Sequence, residues 1–191
     1  MLTLYFDYPS PRAVLALLDL ESALASARAA GERPTVTFVG IDPLGLDMTL
    51  PMTPDQHAEL QRCRERLVAA GLDPVGPGRR PPTVRAHLVG GLAEAVGKGP
   101  AWRSACVSAH WREAVDLGER DVLLGLGERV GLPSEVVAGV LDDPGAVLAA
   151  RRATAALGRR GVGGVPVLEL DGTFVPADLD REGLQDLLRL A

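Results

Sequence analysis

Leu2-Thr3-Leu4-Tyr5-Phe6-Asp7-Tyr8-Pro9-Ser10-Pro11-Arg12-Ala13 reads as a strand that turns at once into a helix. Leu2, Leu4 and Phe6 alternate with Thr3 and Tyr5, the period of a strand, while Val14, Leu17, Leu18 and Ala25 recur at helical spacing. The change falls at Ser10-Pro11. A serine hydroxyl at an N-cap satisfies an orphan amide, and proline at the first helical position has no amide to leave unsatisfied, so the pair starts a helix. Ser10 is thereby expected at the C-terminal edge of a strand and the positive end of a helix, where open α/β sheets bind ligands. A plain helix cap is the other use of the same residue.

Far along the chain, Gly161-Val162-Gly163-Gly164-Val165-Pro166-Val167-Leu168-Glu169-Leu170-Asp171-Gly172-Thr173-Phe174-Val175 reads as a strand, an Asp-Gly hairpin turn and a second strand. Its glycines are followed by a strand, not a helix, so they form no dinucleotide-binding loop.

With 47% hydrophobic and 24% charged residues among 191, the composition is that of a globular chain that can bury a core, not of a disordered one. A net charge of −5 gives no basic field for a phosphate backbone, so nucleic acid is not expected as a partner. No apolar run approaches the ~18 residues of a membrane span, and no signal peptide is evident, so the expected location is cytoplasmic, with no membrane partner. Cys63 and Cys106 form no C-x-x-C pair, and His57, His87 and His110 have no partner at metal-ligand spacing, so no metal is expected.

Between the two key stretches, Pro34 to Ile41 reads as a second strand, and strand–helix–strand order favours a parallel pair. Residues 42–54 form an apolar loop with Leu44, Leu46, Met48, Leu50 and Met52, which needs cover from the protein or a ligand. A helix is expected over 54–71, capped by Thr53 or Asp55. The loop 73–82 carries Arg79 and Arg80 as either a solvated tip or an anion clamp. Further helices are expected from Thr83 (as cap) to Val96, around Trp102 to Val115, over 121–130, 134–141 and 144–157, and at the end of the chain. Ala146, Ala149, Ala150, Ala153 and Leu157 mark one face of the 144–157 helix; Trp102 and Trp111 read as core.

The two key stretches together resemble the DsbA-like branch of the thioredoxin superfamily, nearest to the FrnE-like and 2-hydroxychromene-2-carboxylate isomerase proteins and the kappa-class glutathione transferases. In that group the first strand ends in Cys-Pro-x-Cys or Ser-Pro-x-x, faced by a Val-Pro pair with a cis peptide; here the positions read Ser10-Pro11-Arg12-Ala13 and Val165-Pro166. Pro82-Thr83 with Ala86-His87, Ser108-Ala109-His110-Trp111 and Asp121-Val122-Leu123 are similar to family segments in the same order. The resemblance implies an α/β, thioredoxin-like fold with an all-helical insertion: residues 1–45 and 158–191 would form the discontinuous thioredoxin-like domain, and 46–157 the insertion.

It also implies a site. Ser10 would be the catalytic residue, donating to the sulfur of a bound low-molecular-weight thiol, glutathione or an analogue. Pro11, Arg12, Val165, Pro166 and Asp178 would bind that cofactor. A helix N-terminus favours an anion by ~0.3–1 kcal/mol. A hydrogen bond to a charged group adds ~1.5–3 kcal/mol. At ~1.4 kcal/mol per unit, the low end of this sum brings a thiol from ~8.5 to near 7. It cannot ionise Ser10, and neither a Gly-x-Ser-x-Gly elbow nor a histidine at readable spacing marks a nucleophile.

Departures from the family pattern are equally plain. Ser10 and Ala13 occupy both dithiol positions, so disulfide exchange has no thiolate there. Pro82 stands in place of an asparagine. In Pro176-Ala177-Asp178-Leu179 the family's aspartate is kept and its arginine is leucine. Two functions follow: a thiol-dependent isomerase- or transferase-like enzyme acting on a small molecule, with relatives that commonly pair as homodimers, or a non-catalytic relative binding a ligand or partner through the 44–52 groove.

Overall fold

A computed structural model describes residues 1–73, 78–177 and 179–191. Strand β1 (Leu2–Phe6) lies beside β2 (Val36–Gly40) and β5 (Val167–Leu170), with β6 (Thr173–Val175) outermost, in the order β2-β1-β5-β6. β1 runs parallel to β2, from Leu2 opposite Val36 to Phe6 opposite Gly40, and antiparallel to β5, from Leu2 opposite Leu170 to Tyr5 opposite Val167. Thr3 and Tyr5 are buried as well as Leu2, Leu4 and Phe6, so the alternation in the sequence understates β1: as an inner strand it is covered on both faces.

Helix α1 (Pro11–Ala29) makes the crossover between β1 and β2 and packs against α2 (Pro54–Ala69) and α8 (Arg181–Leu190). Ten of its residues are buried, including Val14, Leu17, Leu20 and Leu24, because it is overlaid on both flanks. The remaining helices are α3 (Val84–Ala95), α4 (Gly99–Trp111), α5 (Arg120–Arg129), α6 (Ser134–Leu141) and α7 (Pro144–Arg159). Helix α3 is their hub, touching β2, α4, α6 and α7. One core runs from Leu2 and Leu4 through Leu17 and Leu20 to Trp102, Trp111 and Leu123, so sheet and helices share their apolar interior.

The α/β architecture with a largely helical segment between its strands is as expected, with three local corrections. The segment is not wholly helical: Leu50–Pro51 (β3) and Arg79–Arg80 (β4) pair antiparallel, tying together two stretches that read as loops. Thr83 makes no side-chain cap at the start of α3; its hydroxyl donates instead to Asp7 Oδ1 at 2.6 Å, a charged acceptor. In α7 Ala149 and Ala153 are exposed, and its single buried residue is Val147. Thr53, by contrast, caps α2 in a reciprocal box with Gln56. Among the described residues, no helix is long and apolar enough to cross a membrane.

Candidate functional site at the start of helix α1

Beyond Phe6 the chain turns through Asp7, Tyr8 and Pro9, and Ser10 enters α1 with φ −84° and ψ 118°. Ser10 Oγ accepts from the Ala13 N–H at 3.2 Å, and its carbonyl accepts from Val14 N–H at 3.0 Å. Pro11 has no N–H to satisfy. The first-turn amide left open among the described residues is that of Arg12, at the positive end of a 19-residue helix. The turn is pinned from outside by Trp111, whose Nε1 donates to the Tyr8 carbonyl at 2.8 Å.

A cavity of about 170 Å³ opens at this helix end, lined by Ser10, Pro11, Val165, Arg80, His110 and Trp111 among others. Residues from opposite ends of the chain thus meet there. The Val165–Pro166 peptide is cis. Neither the N–H nor the C=O of Val165 has a hydrogen-bond partner among the described residues. Arg12 is exposed and does not line the cavity; its charge acts instead toward Cys63 on α2. Asp178 lies outside the described residues. Of the apolar 44–52 stretch, Met52 reaches the cavity, while Leu44, Leu46 and Met48 are 46%, 46% and 60% exposed.

Behind the cavity wall lies a polar cluster that the sequence reading missed. The Asp7 side chain has no exposure and accepts three hydrogen bonds: from Thr83 Oγ1 at 2.6 Å, His87 Nε2 at 2.9 Å and Arg80 Nη2 at 2.9 Å. Three donors thus satisfy a carboxylate that is out of contact with water, as burial of so polar a group requires. His87 is stacked on Tyr8 at 4.9 Å and meets the edge of Phe6 at 5.5 Å. Asp42 extends the cluster, accepting from the backbone N–H groups of Leu44, Gly45 and Thr83. The available signal was an aspartate directly after an apolar strand.

His110 is the second unanticipated wall residue. It is 1% exposed, and its Nδ1 is buried with no partner among the described residues. Burial pushes its imidazole down to about 4 despite the opposing influence of Asp7, Val115 and Asp116, so it is neutral near pH 7. Cys63 and Cys106 are both free, buried and absent from the cavity wall; burial pushes both thiols up. Among the described residues no cluster of His, Cys, Asp and Glu could hold a metal ion.

Solved structures with this backbone arrangement include a "probable DsbA oxidoreductase" from Streptomyces coelicolor, 20% identical, with a TM-score of 0.77 over 98% of this chain and 87% of that one. A 2-hydroxychromene-2-carboxylate isomerase is 19% identical, with a TM-score of 0.66 over 91% of this chain and 87% of that one. At such identities the likeness speaks for the fold. No curated protein sequence matches this one. The model of the DSBA-like thioredoxin domain matches residues 1–189, nearly the entire sequence, and the chain belongs to that family.

Proposed function

We propose that the chain is a thiol-cofactor-dependent enzyme, isomerase- or transferase-like, acting on a small molecule, and not a dithiol–disulfide oxidoreductase. The observation that carries this reading is the wall at the start of α1: the Ser10 hydroxyl and an unpaired Val165 backbone edge share one cavity at the positive end of that helix, and no cysteine lines it. These groups fit a small thiol. Ser10 Oγ has its acceptor side used by Ala13 N–H, leaving its O–H free to donate. The positive end of α1 favours an anion there, and Val165 offers a donor and an acceptor for strand-like pairing with a peptide-like cofactor. A bound thiol such as glutathione or an analogue would supply the nucleophilic sulfur that the chain lacks at this place. The cytoplasmic location expected from the sequence and the homodimer implied by the resemblance belong to the same reading.

The second reading is a non-catalytic binder, favoured by the exposure of Leu44, Leu46 and Met48 in the stretch between Pro43 and Met52, which themselves line the cavity. Thermal shift and native mass spectrometry across low-molecular-weight thiols separate the two. A thiol at one hundred times its Kd stabilises by about 2.7 kcal/mol. In a chain of this size each kcal/mol moves the Tm by roughly 2–4 °C. Ser10→Ala should abolish that ligand-induced shift. Because it also removes the cap, at a cost of about 1 kcal/mol, Ser10→Gly is the control, losing the hydroxyl for only a few tenths. Indifference to every thiol, or shifts unchanged in both variants, refutes the thiol reading.

A further inference from the structure

We propose that Arg80 is the anion-recognising residue of the Ser10 cavity, and that the molecule held there presents a carboxylate to it. Arg80 lines the cavity with its side chain 15% exposed. Of its five N–H groups, one is used among the described residues, Nη2 donating to Asp7 Oδ2 at 2.9 Å, and its other nitrogens are not among the buried atoms lacking partners. The rest of the guanidinium fork is therefore available on the open side.

The fork is also held in place. Its backbone is fixed by the pairing of Arg80 with Leu50, and its head by a fully buried carboxylate that Thr83 and His87 hold in turn. Swinging Arg80 away would leave Asp7 short of a donor, so the guanidinium is organised before any ligand arrives. Asp7 is a positioning residue here.

Charge alone does not explain such a site. Arg80 is paired with Asp7, the wall carries one further charge of each sign in Arg79 and Glu59, and His110 is neutral. The net charge of the wall is small, and selectivity rests on directed donors: the Arg80 fork and the Ser10 O–H. A planar fork matches a carboxylate in two bonds, whereas a lysine ammonium is a point charge that cannot. If Arg80 were only a counter-ion for Asp7, its replacement would alter stability without altering ligand preference.

The location of this site rests on the cavity described above; the thiol reading enters only in deciding whose carboxylate it is. Two matched pairs of probes are titrated calorimetrically against the full chain: benzoate with uncharged benzamide, and 3-mercaptopropionate with 2-mercaptoethanol. The carboxylate member of at least one pair should bind about tenfold or more tightly, the worth of one charged hydrogen bond. Arg80→Lys and Arg80→Met should bring that ratio close to one, and Arg79→Met should leave it. A preference confined to benzoate assigns the carboxylate to a substrate; one confined to the mercapto acid assigns it to the thiol cofactor. No preference in either pair, or a preference that survives both Arg80 variants, overturns the proposal. Ser10→Ala reports on the thiol separately, so an Arg80-dependent benzoate preference with no thiol binding would sink the proposed function and keep this site.

Discussion

Gly40→Ala tests whether the His87–Asp7 cluster is as tightly built as its distances imply. A Cβ on Gly40 would lie 1.9 Å from His87 Nδ1 and 2.5 Å from Cγ. To reach ordinary contact at 3.4 Å the ring must retreat by 1.5 Å, the difference between 3.4 and 1.9. The ring is stacked on Tyr8, meets Phe6 edge to face, and has Nε2 bonded to Asp7 at 2.9 Å, so a retreat of that size strains or breaks that bond. Overpacking costs about 1–3 kcal/mol. Depriving a buried carboxylate of one donor costs a further ~1–3 kcal/mol. The expected loss is about 2–6 kcal/mol, read from urea unfolding as a lower midpoint at unchanged slope. Gly40 carries no positive φ, so the backbone itself tolerates alanine. The companion variant His87→Ala removes the obstacle, and in that background Gly40→Ala should cost under about 1 kcal/mol, a coupling typical of side chains in contact. A Gly40→Ala loss below about 0.5 kcal/mol, or equal losses in both backgrounds, refutes the wedge.

Two further outcomes follow from the buried titrating groups. Both thiols are held up by burial, so a chromogenic disulfide reagent at pH 8 should find neither in the folded chain and both in denaturant; prompt reaction of either in the native state would refute their burial. His110 titrates near 4 when folded against an ordinary value of 6.5, so between those values the unfolded chain binds the extra proton. Stability should therefore be full above pH 6.5 and fall as the pH drops toward 4, by about 3 kcal/mol at most from this group. The His110→Asn variant should flatten that slope, and an unchanged slope would show that other groups carry it.

The fold was legible because its decisive signals are local. Ser10-Pro11 starts a helix by its own backbone chemistry, and Asp171-Gly172 turns a hairpin, with Asp171 and Gly172 both at positive φ. The meeting of Ser10 with Val165 needed the family resemblance, since nothing in the spacing of two residues so far apart states that they share a wall. Asp7, Arg80, Thr83 and His87 were illegible as a group for a related reason. Each has a common local use — strand end, loop tip, cap, helix residue — and the three-donor arrangement exists only once β4 and α3 are folded against the end of β1. Thr83 shows the conflict most clearly: its cap chemistry yielded to a buried carboxylate, a stronger acceptor than a helix amide is a donor. Arg12 shows the opposite case: adjacent to Ser10 in sequence, it is exposed and does not line the cavity.

The pairing of Leu2 with Leu170 and Tyr5 with Val167 sets a schedule as well as a shape. During synthesis the opening strand must wait, through more than one hundred and fifty residues' worth of elongation, for the neighbour that completes its ladder. Until then β1 has β2 on one side and a bare edge on the other, the kind of surface that recruits strangers. Helices α3 to α7 emerge meanwhile and can fold among themselves through nearby contacts, which form fast. The cavity at the start of α1 is thus completed late, and a nascent or truncated chain ending before Val165 carries the Ser10 hydroxyl but not the wall opposite it.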